Sequence, residues 1–295
     1  QFVSKGISGF KLDECDNSDF VWYPWSYPEH STFPSGMDGE QMHSLMGLLF
    51  QRTIDRVYRN SGRRTLGQVR ASGALAAPYP FVLYSDLYNH RDFVRGLANM
   101  GFSGLLWSPE VRHATNPEDL VRRLQCVCLS PQALVNAWYI KNPPWGQVDR
   151  KKNNADEPME EREQLEAQCR QIFRLRMSLV PYLYAAFAKY RFDGIPPFRA
   201  LVMDWPDDEQ TWRIDDQYMM GPDLLVAPVV SGTTSRKVYL PAGRWYELSG
   251  QKAHEGNQWI EVEPALSEVP IFVRAGAVLP LAEPVDHIES DTVFE

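Results

Sequence analysis

The sequence predicts an α/β chain, the C-terminal part of a (β/α)8 TIM barrel with about five βα units present, followed by an all-β sandwich. Three observations carry this. Short apolar segments alternate with helix-period segments over residues 1–222. Several of those apolar segments close on an acid. From about residue 223 the helical period gives way to short strands broken by Gly and Pro. The expected domains are therefore 1–222, the barrel part, and 223–295, the sandwich.

In chain order, residues 1–12 read as a buried strand that opens into GFKLDECDNSDF, where Asp13, Glu14, Asp16 and Asp19 crowd together. The loop WYPWSYPEHSTFPSG is too irregular for either period. A helix is expected from about Asp38 to Asn60, with Met42, Leu45, Met46, Leu49 and Ile54 near 3.6 spacing. TLGQVRA is a short strand before a Gly/Ala/Pro loop, and FVLYSD is a short apolar segment ending on Asp86. HRDFVRGLANMG has helical spacing at Phe93, Leu97 and Met100, and FSGLLWSPE reads as a strand ending on Glu110. Helices are expected over 117–126, 131–140 and 160–191, with FRALVMDWP as a further strand. The tail supplies LLVAPVV, RKVYLPAGRWYEL, QWIEVEP and VPIFVRAGAVLPL as sandwich strands. A closed barrel needs eight βα units, so the missing ones are expected upstream, in an N-terminal part of the same polypeptide.

Composition excludes several classes. A chain of 295 residues with 44% hydrophobic residues buries a substantial core. A net charge of −8, with no basic cluster longer than Arg63–Arg64 or Arg150–Lys152, argues against a nucleic-acid partner. No apolar run reaches the ~18 residues of a membrane span, and QFVSKGISG has neither an initiator Met nor a signal-peptide shape. Compartment stays unknown, and a homo-oligomer stays open. Cys15, Cys126, Cys128 and Cys169 read as buried free thiols, because no zinc-ligand spacing or disulfide framework is present. No metal or cofactor is expected.

The chemistry-bearing candidates are the strand-end acids Asp13, Asp86, Glu110 and Asp204, since sites on a parallel barrel lie at the C-terminal ends of its strands. Two carboxylates across a cleft are what glycoside hydrolysis requires, one at the anomeric carbon and one protonating the departing oxygen. The plainer reading for each is a helix cap or a partner for Arg.

The segments MSLVPYLYAAFAKYRFDGIPPFRALVMDWPDD, IDDQYMMGPDLLVAPVV, VYLPAGRWYEL and VPIFVRAGAVLP carry a resemblance to glycoside hydrolase family 31, the retaining α-glycosidases. FKLDECD resembles the family's nucleophile strand in its α-xylosidase-like bacterial form, which makes Asp13 the implied nucleophile. The resemblance places Lys11 where that branch has a Lys, and Asp16 where the family has an orienting Glu. The family's acid/base closes a segment that begins with an Arg sixteen residues earlier. Arg70 and Asp86 have that spacing through RASGALAAPYPFVLYSD, so Asp86 takes the acid/base role and Arg70 contacts sugar or steers a carboxylate. Phe81, Leu83 and Tyr84 are the expected apolar setting that keeps Asp86 protonated.

The sequence departs from the family at the sugar. Pro78 stands where an Arg or Lys is usual, Glu110 where an Asp is expected, and Asn142 roughly at a His position with no matching Arg. The expected enzyme is of α-glucosidase, α-galactosidase or α-xylosidase type, and that altered set points away from glucose toward an α-galactoside, an α-xyloside or another modified α-glycoside. Trp22, Trp25, Trp107, Trp138 and Trp145 are divided between cleft and core, with Trp107 taken among the substrate contacts. The expected activity is retaining hydrolysis of an α-linked oligosaccharide or glycoside. An α-transglycosylase using the same residues and a non-catalytic carbohydrate-binding relative are the alternatives.

Overall fold

The computed structural model describes residues 1–15, 27–250 and 252–288. These fall into two compact units: Gln1–Asp86 with Ser103–Trp107, and Leu87–Phe102 with Ser108–Glu295.

The first unit is a small parallel sheet with one long helix. β1 is Lys11–Leu12, α1 is Gly39–Asn60, β2 is Gly67–Val69 and β3 is Phe81–Leu83. The expected opening strand is mostly irregular, with a 3-10 turn at Val3–Lys5 and pairing confined to β1. α1 starts where the sequence says it should. The Asp38 carboxylate accepts the Gln41 N–H at 2.8 Å, and the Asp38 N–H donates to Gln41 Oε1 at 3.3 Å, a reciprocal capping box. The strands run β1–β2–β3, all parallel, with Leu12 opposite Val69 and Val69 opposite Leu83. Trp107 adds a single parallel bridge to Leu83. Leu12, Val69 and Phe81 form the core, and Met46, Phe50 and Ile54 cover it at the four-residue spacing of one helix face. Gly47 lets α1 approach the chain just past β2, where a Cβ would come within 1.9 Å of the Ala71 carbonyl oxygen. In this way α1 backs the strand end that carries Arg70.

The second unit begins with α2 (His90–Asn99), β4 (Glu110–Val111), α3 (Pro117–Cys128), β5 (Leu134–Val135), α4 (Arg150–Asn154), α5 (Arg162–Ser178) and α6 (Val180–Asp193). Several expectations are corrected here. FSGLLWSPE is not one strand: Pro109 has no N–H for a ladder, and Glu110 opens β4 instead of ending a strand. Residues 131–140 are not helical. Leu134 and Val135 pair in parallel with Glu110 and Val111, and the Asn136 side chain takes the Trp138 N–H at 2.9 Å, an alternative to helical bonding. The expected helix over 160–191 is two, α5 and α6, divided at Leu179 just before Pro181.

The sandwich strands are β6 (Phe198–Arg199), β7 (Tyr218–Met220), β8 (Leu224–Val226), β9 (Arg236–Leu240), β10 (Arg244–Glu247), β11 (Ala253–Glu255), β12 (Gln258–Val262) and β13 (Ile271–Arg274). One sheet runs β11-β10-β13-β8-β7-β6 and the other pairs β12 with β9, every pairing antiparallel. Met219, Leu225, Val238, Leu240, Trp245 and Phe272 meet between them. FRALVMDWP contributes only β6 before a 3-10 turn at Leu201–Met203, and β6 joins this antiparallel sheet. Asp204 is thereby a structural partner: Arg199 Nε donates to its Oδ1 at 2.7 Å.

Buried polar groups tie the helices of this unit to its sheets. The Arg122 guanidinium donates to the Glu268 carbonyl at 3.0 Å, and the Gln125 amide donates to those of Leu266 and Glu268 at 2.7 and 3.0 Å. Arg176 caps the end of α3 by donating to the carbonyls of Cys128, Ser130 and Pro131. The four cysteines are free and buried, as expected, and burial pushes the Cys128 and Cys169 thiols up to about 12. Among the described residues, no helix is long and apolar enough to cross a membrane.

Candidate active site

Three strand ends of the first unit converge. Asp13 follows β1, Arg70 follows β2, and Tyr84, Ser85 and Asp86 follow β3, so all leave the C-terminal edge of one parallel sheet. One guanidinium joins the two acids. Arg70 Nη2 lies 2.6 Å from Asp86 Oδ2, and its Nη1 lies 3.6 Å from Asp13 Oδ1. Lys11 Nζ stands 3.6 Å from the other Asp13 oxygen and 4.3 Å over the Tyr84 ring. Arg70 is nearly buried, with a side chain 7% exposed, whereas those of Asp13 and Asp86 are 45% and 38% exposed. The cation is fixed in the wall and the two acids face outward.

Tyr84 is buried and donates its hydroxyl to Asp13 Oδ1, which also accepts the Glu14 N–H at 2.9 Å. Burial disfavours the charged form of Asp13. The Tyr84 and Glu14 hydrogen bonds and the charges of Lys11 and Arg70 outweigh it, holding the carboxyl below its usual pKa. Burial and the neighbouring carboxylate raise the Tyr84 phenol well above its ordinary value, so it stays a donor. An ionised carboxylate with one exposed flank can serve as a nucleophile. A second carboxyl beyond the same guanidinium can exchange protons.

Phe81, Leu83 and Tyr84 are the residues expected to give Asp86 an apolar setting, and two of them have other engagements. The Tyr84 hydroxyl goes to Asp13, and Phe81 belongs to the core below the sheet. Trp107 is also reassigned. Its side chain is buried and its indole N–H donates to Ser85 Oγ at 3.1 Å, so it braces the turn before Asp86 instead of offering a face to a ligand. Asp16, Trp22 and Trp25 lie outside the described residues.

Glu110 and Asn142 belong to the second unit. Glu110 is buried, and its Oε1 accepts the Tyr88 hydroxyl at 3.0 Å and the Asn136 amide at 3.1 Å. Arg112 donates to the Tyr88 hydroxyl at 3.2 Å and packs on the Tyr88 and Trp138 rings. Asn142 serves a turn: its N–H donates to Asn153 Oδ1 at 3.1 Å and its carbonyl accepts the Gly146 N–H at 2.8 Å. The amide that engages Glu110 is therefore that of Asn136, one residue past β5. The sequence carried no signal for it, since 131–140 reads as helix and β5 is seen only in the fold. Tyr88 carried none either. Among the described residues, no group of three His, Cys, Asp or Glu side chains is arranged to hold a metal.

Comparison with known proteins is consistent across the chain. The model of the glycosyl hydrolases family 31 TIM-barrel domain matches residues 1–186, and that of the family 31 C-terminal domain matches 194–279. Alpha-glucosidase 2 of Bacillus thermoamyloliquefaciens is 31% identical over 190 residues, covering 63% of this chain and 23% of that protein. The isomaltosyltransferase of Sporosarcina globispora is 35% identical over 107 residues, covering 36% and 10%. A family 31 dextranase from Flavobacterium johnsoniae, solved with glucose, superposes with a TM-score of 0.77 at 25% identity over 99% of this chain and 37% of its own. The chain thus spans less than a quarter of the length of these two curated relatives.

Proposed function

The chain belongs to glycosyl hydrolase family 31, and from that premise we propose that it carries the catalytic pair of a retaining α-glycosidase, with Asp13 as nucleophile and Asp86 as acid/base. The observation that supports this best is the shared guanidinium of Arg70, which gathers both carboxylates at the C-terminal edge of β1–β3.

In the first step an Asp13 oxygen attacks the anomeric carbon, the bond to the leaving oxygen breaks, and that oxygen takes the proton of Asp86. In the second, Asp86 removes a proton from water, the water oxygen bonds the anomeric carbon, and the ester to Asp13 opens. Tyr84 and Lys11 hold the attacking carboxylate ionised and oriented. Arg70 must release Asp86 as the substrate enters, so that the acid turns from the guanidinium to the glycosidic oxygen.

Glu110 is the sugar-hydroxyl contact that the family resemblance implies, with Asn136 as its positioning partner. Buried polar contacts of this kind discriminate strongly among sugars. A second reading is transfer to a sugar acceptor in place of water. It is favoured by the isomaltosyltransferase among the relatives.

A panel of aryl α-glycosides (gluco, galacto, xylo) assayed on the full-length protein tests the proposal. The expected result is turnover of one sugar, abolished by Asp13→Ala and reduced by Asp86→Ala, most strongly where the aryl leaving group is poor. Product analysis with added oligosaccharide separates hydrolysis from transfer. A folded protein with no turnover on any of these sugars would overturn the reading in favour of a binding role.

A further inference from the structure

The chain turns sharply one residue past Asp13. Glu14 has a φ of 52°, in the left-handed region that suits glycine and asparagine and that a glutamate rarely adopts. Strand geometry supplies the reason. Leu12 is 2% exposed in the core of the β1–β3 sheet, Asp13 is exposed, and plain alternation would send Glu14 inward after Leu12. The left-handed residue breaks that alternation. Glu14 stays exposed, and Cys15, 4% exposed, takes the inward place in the same core. A carboxylate is thereby kept out of apolar surroundings. Non-glycine residues held in such backbone cluster at functional sites.

The same turn brings the Glu14 N–H onto Asp13 Oδ1, at 2.9 Å. That oxygen also accepts the Tyr84 hydroxyl. A carboxylate oxygen offers two lone pairs, and these two donors engage both. Among the described residues Asp13 Oδ2 accepts no hydrogen bond; its charged neighbour is Lys11 Nζ, 3.6 Å away and beyond hydrogen-bonding range. The Glu14 carboxylate has no hydrogen bond or ion pair among the described residues. What this residue lends to the site is its main chain.

On the reading of Asp13 as nucleophile, on which this rests, we propose that the attacking atom is Oδ2. The Glu14 main chain is then a positioning group that, with Tyr84, holds Oδ1 as the carbonyl oxygen of the glycosyl ester. In the first step Oδ2 bonds the anomeric carbon while the leaving oxygen departs with the proton of Asp86. In the second, a water oxygen bonds that carbon and its proton passes to Asp86. The electron pair of the carbon–Oδ2 bond returns to the carboxylate, where Oδ1 shares the charge. Donors already aimed at Oδ1 stabilise charge where it develops, so their effect falls on breakdown of the ester.

The test labels the full-length protein with fluorinated α-glycosyl fluorides in gluco, galacto and xylo configuration and follows the recovery of activity as the ester hydrolyses. Glu14→Gly and Glu14→Asn keep both the N–H and the left-handed backbone, and should recover as fast as the native protein. Glu14→Val disfavours that backbone and Glu14→Pro has no N–H. Both should still be labelled on Asp13, with the ester living about tenfold longer, the effect of one lost hydrogen bond to a charged group. Their kcat/KM–pH profiles should also show the acid limb at higher pH. Against burial, this N–H helps to hold the Asp13 carboxyl below its usual value. Equal ester lifetimes in all five proteins, with Asp13 labelled, would overturn the proposal and leave the nucleophile standing. So would a loss in Glu14→Gly as large as in Glu14→Val, which would put the effect in the side chain. A native protein labelled at a residue other than Asp13 would overturn the nucleophile and this proposal together.

Discussion

Arg70, buried, and Arg176, partly buried, are the same residue type in two regions with different purposes. Arg70 spends its guanidinium on two carboxylates that remain substantially exposed. Arg176 spends its own on three backbone carbonyls of buried residues. A cation whose acceptors are half-exposed anions can exchange partners when a substrate arrives. A cation whose acceptors are buried carbonyls has nothing to exchange with, and removing it leaves those carbonyls unpaired. What an arginine is bonded to, more than its burial, separates site from scaffold.

The comparison breaks hardest at the carboxylates. Asp13→Ala is expected to cost about 10⁴-fold in kcat/KM, whatever the leaving group. Asp86→Ala should cost about 10²- to 10⁴-fold on a glycoside with a poor leaving group. It should cost far less with a nitrophenolate, which needs no proton to depart. Equal losses on both substrates would remove Asp86 from the acid/base role. On the scaffold side, Arg176→Ala should lower unfolding free energy by about 3 kcal/mol or more, since each orphaned carbonyl costs about 1–3 kcal/mol. Denaturant titration measures this, and a loss under 1 kcal/mol would contradict the assignment.

A smaller effect sharpens the site. Tyr84→Phe removes a hydrogen bond that holds the Asp13 carboxyl below its ordinary value. The acid limb of the kcat/KM–pH profile should then move to higher pH, with a loss of about tenfold at neutrality. An unmoved limb would show that Tyr84 does not tune the nucleophile.

The smallest effect concerns His90, buried on α2, whose Nδ1 accepts the Ser231 N–H at 3.2 Å. Burial and the nearby positive charges of Arg123 and Arg122 lower its pKa from 6.5 to about 4, against the opposing pull of Asp119. Between those values the unfolded chain binds the proton and the folded one does not. Its contribution is therefore present above about pH 6.5 and lost as pH falls toward 4. The melting temperature should drop across that window by a few degrees more in the native protein than in His90→Gln. Parallel curves would contradict this.

How much of this was legible in the sequence depends on the range of the interaction. Local signals held. The spacing of Met42, Leu45, Met46, Leu49 and Ile54 marked α1, and strand ends carrying Asp13, Arg70 and Asp86 marked one edge of the sheet. Contacts made across the fold did not show. Tyr84 read as an apolar neighbour of Asp86, because nothing local says its hydroxyl reaches a residue 71 positions earlier. Trp107 read as a ligand contact because burial is not visible in residue type. Helical spacing over 131–140 misled, since Asn136 offers the backbone a competing partner and Leu134–Val135 find a strand to pair with. Asn136 carried no sequence signal, because 131–140 reads as helix and its place after β5 emerges only in the fold.

The central claim is that Asp13 forms the covalent bond to the sugar. The most direct measurement is to trap that intermediate with a fluorinated α-glycosyl fluoride of the preferred sugar, and then to locate the added mass by peptide mapping. The account predicts one sugar per chain, attached to the peptide containing Asp13 and absent from Asp13→Ala. A label on Asp86, or on any other residue, would contradict it.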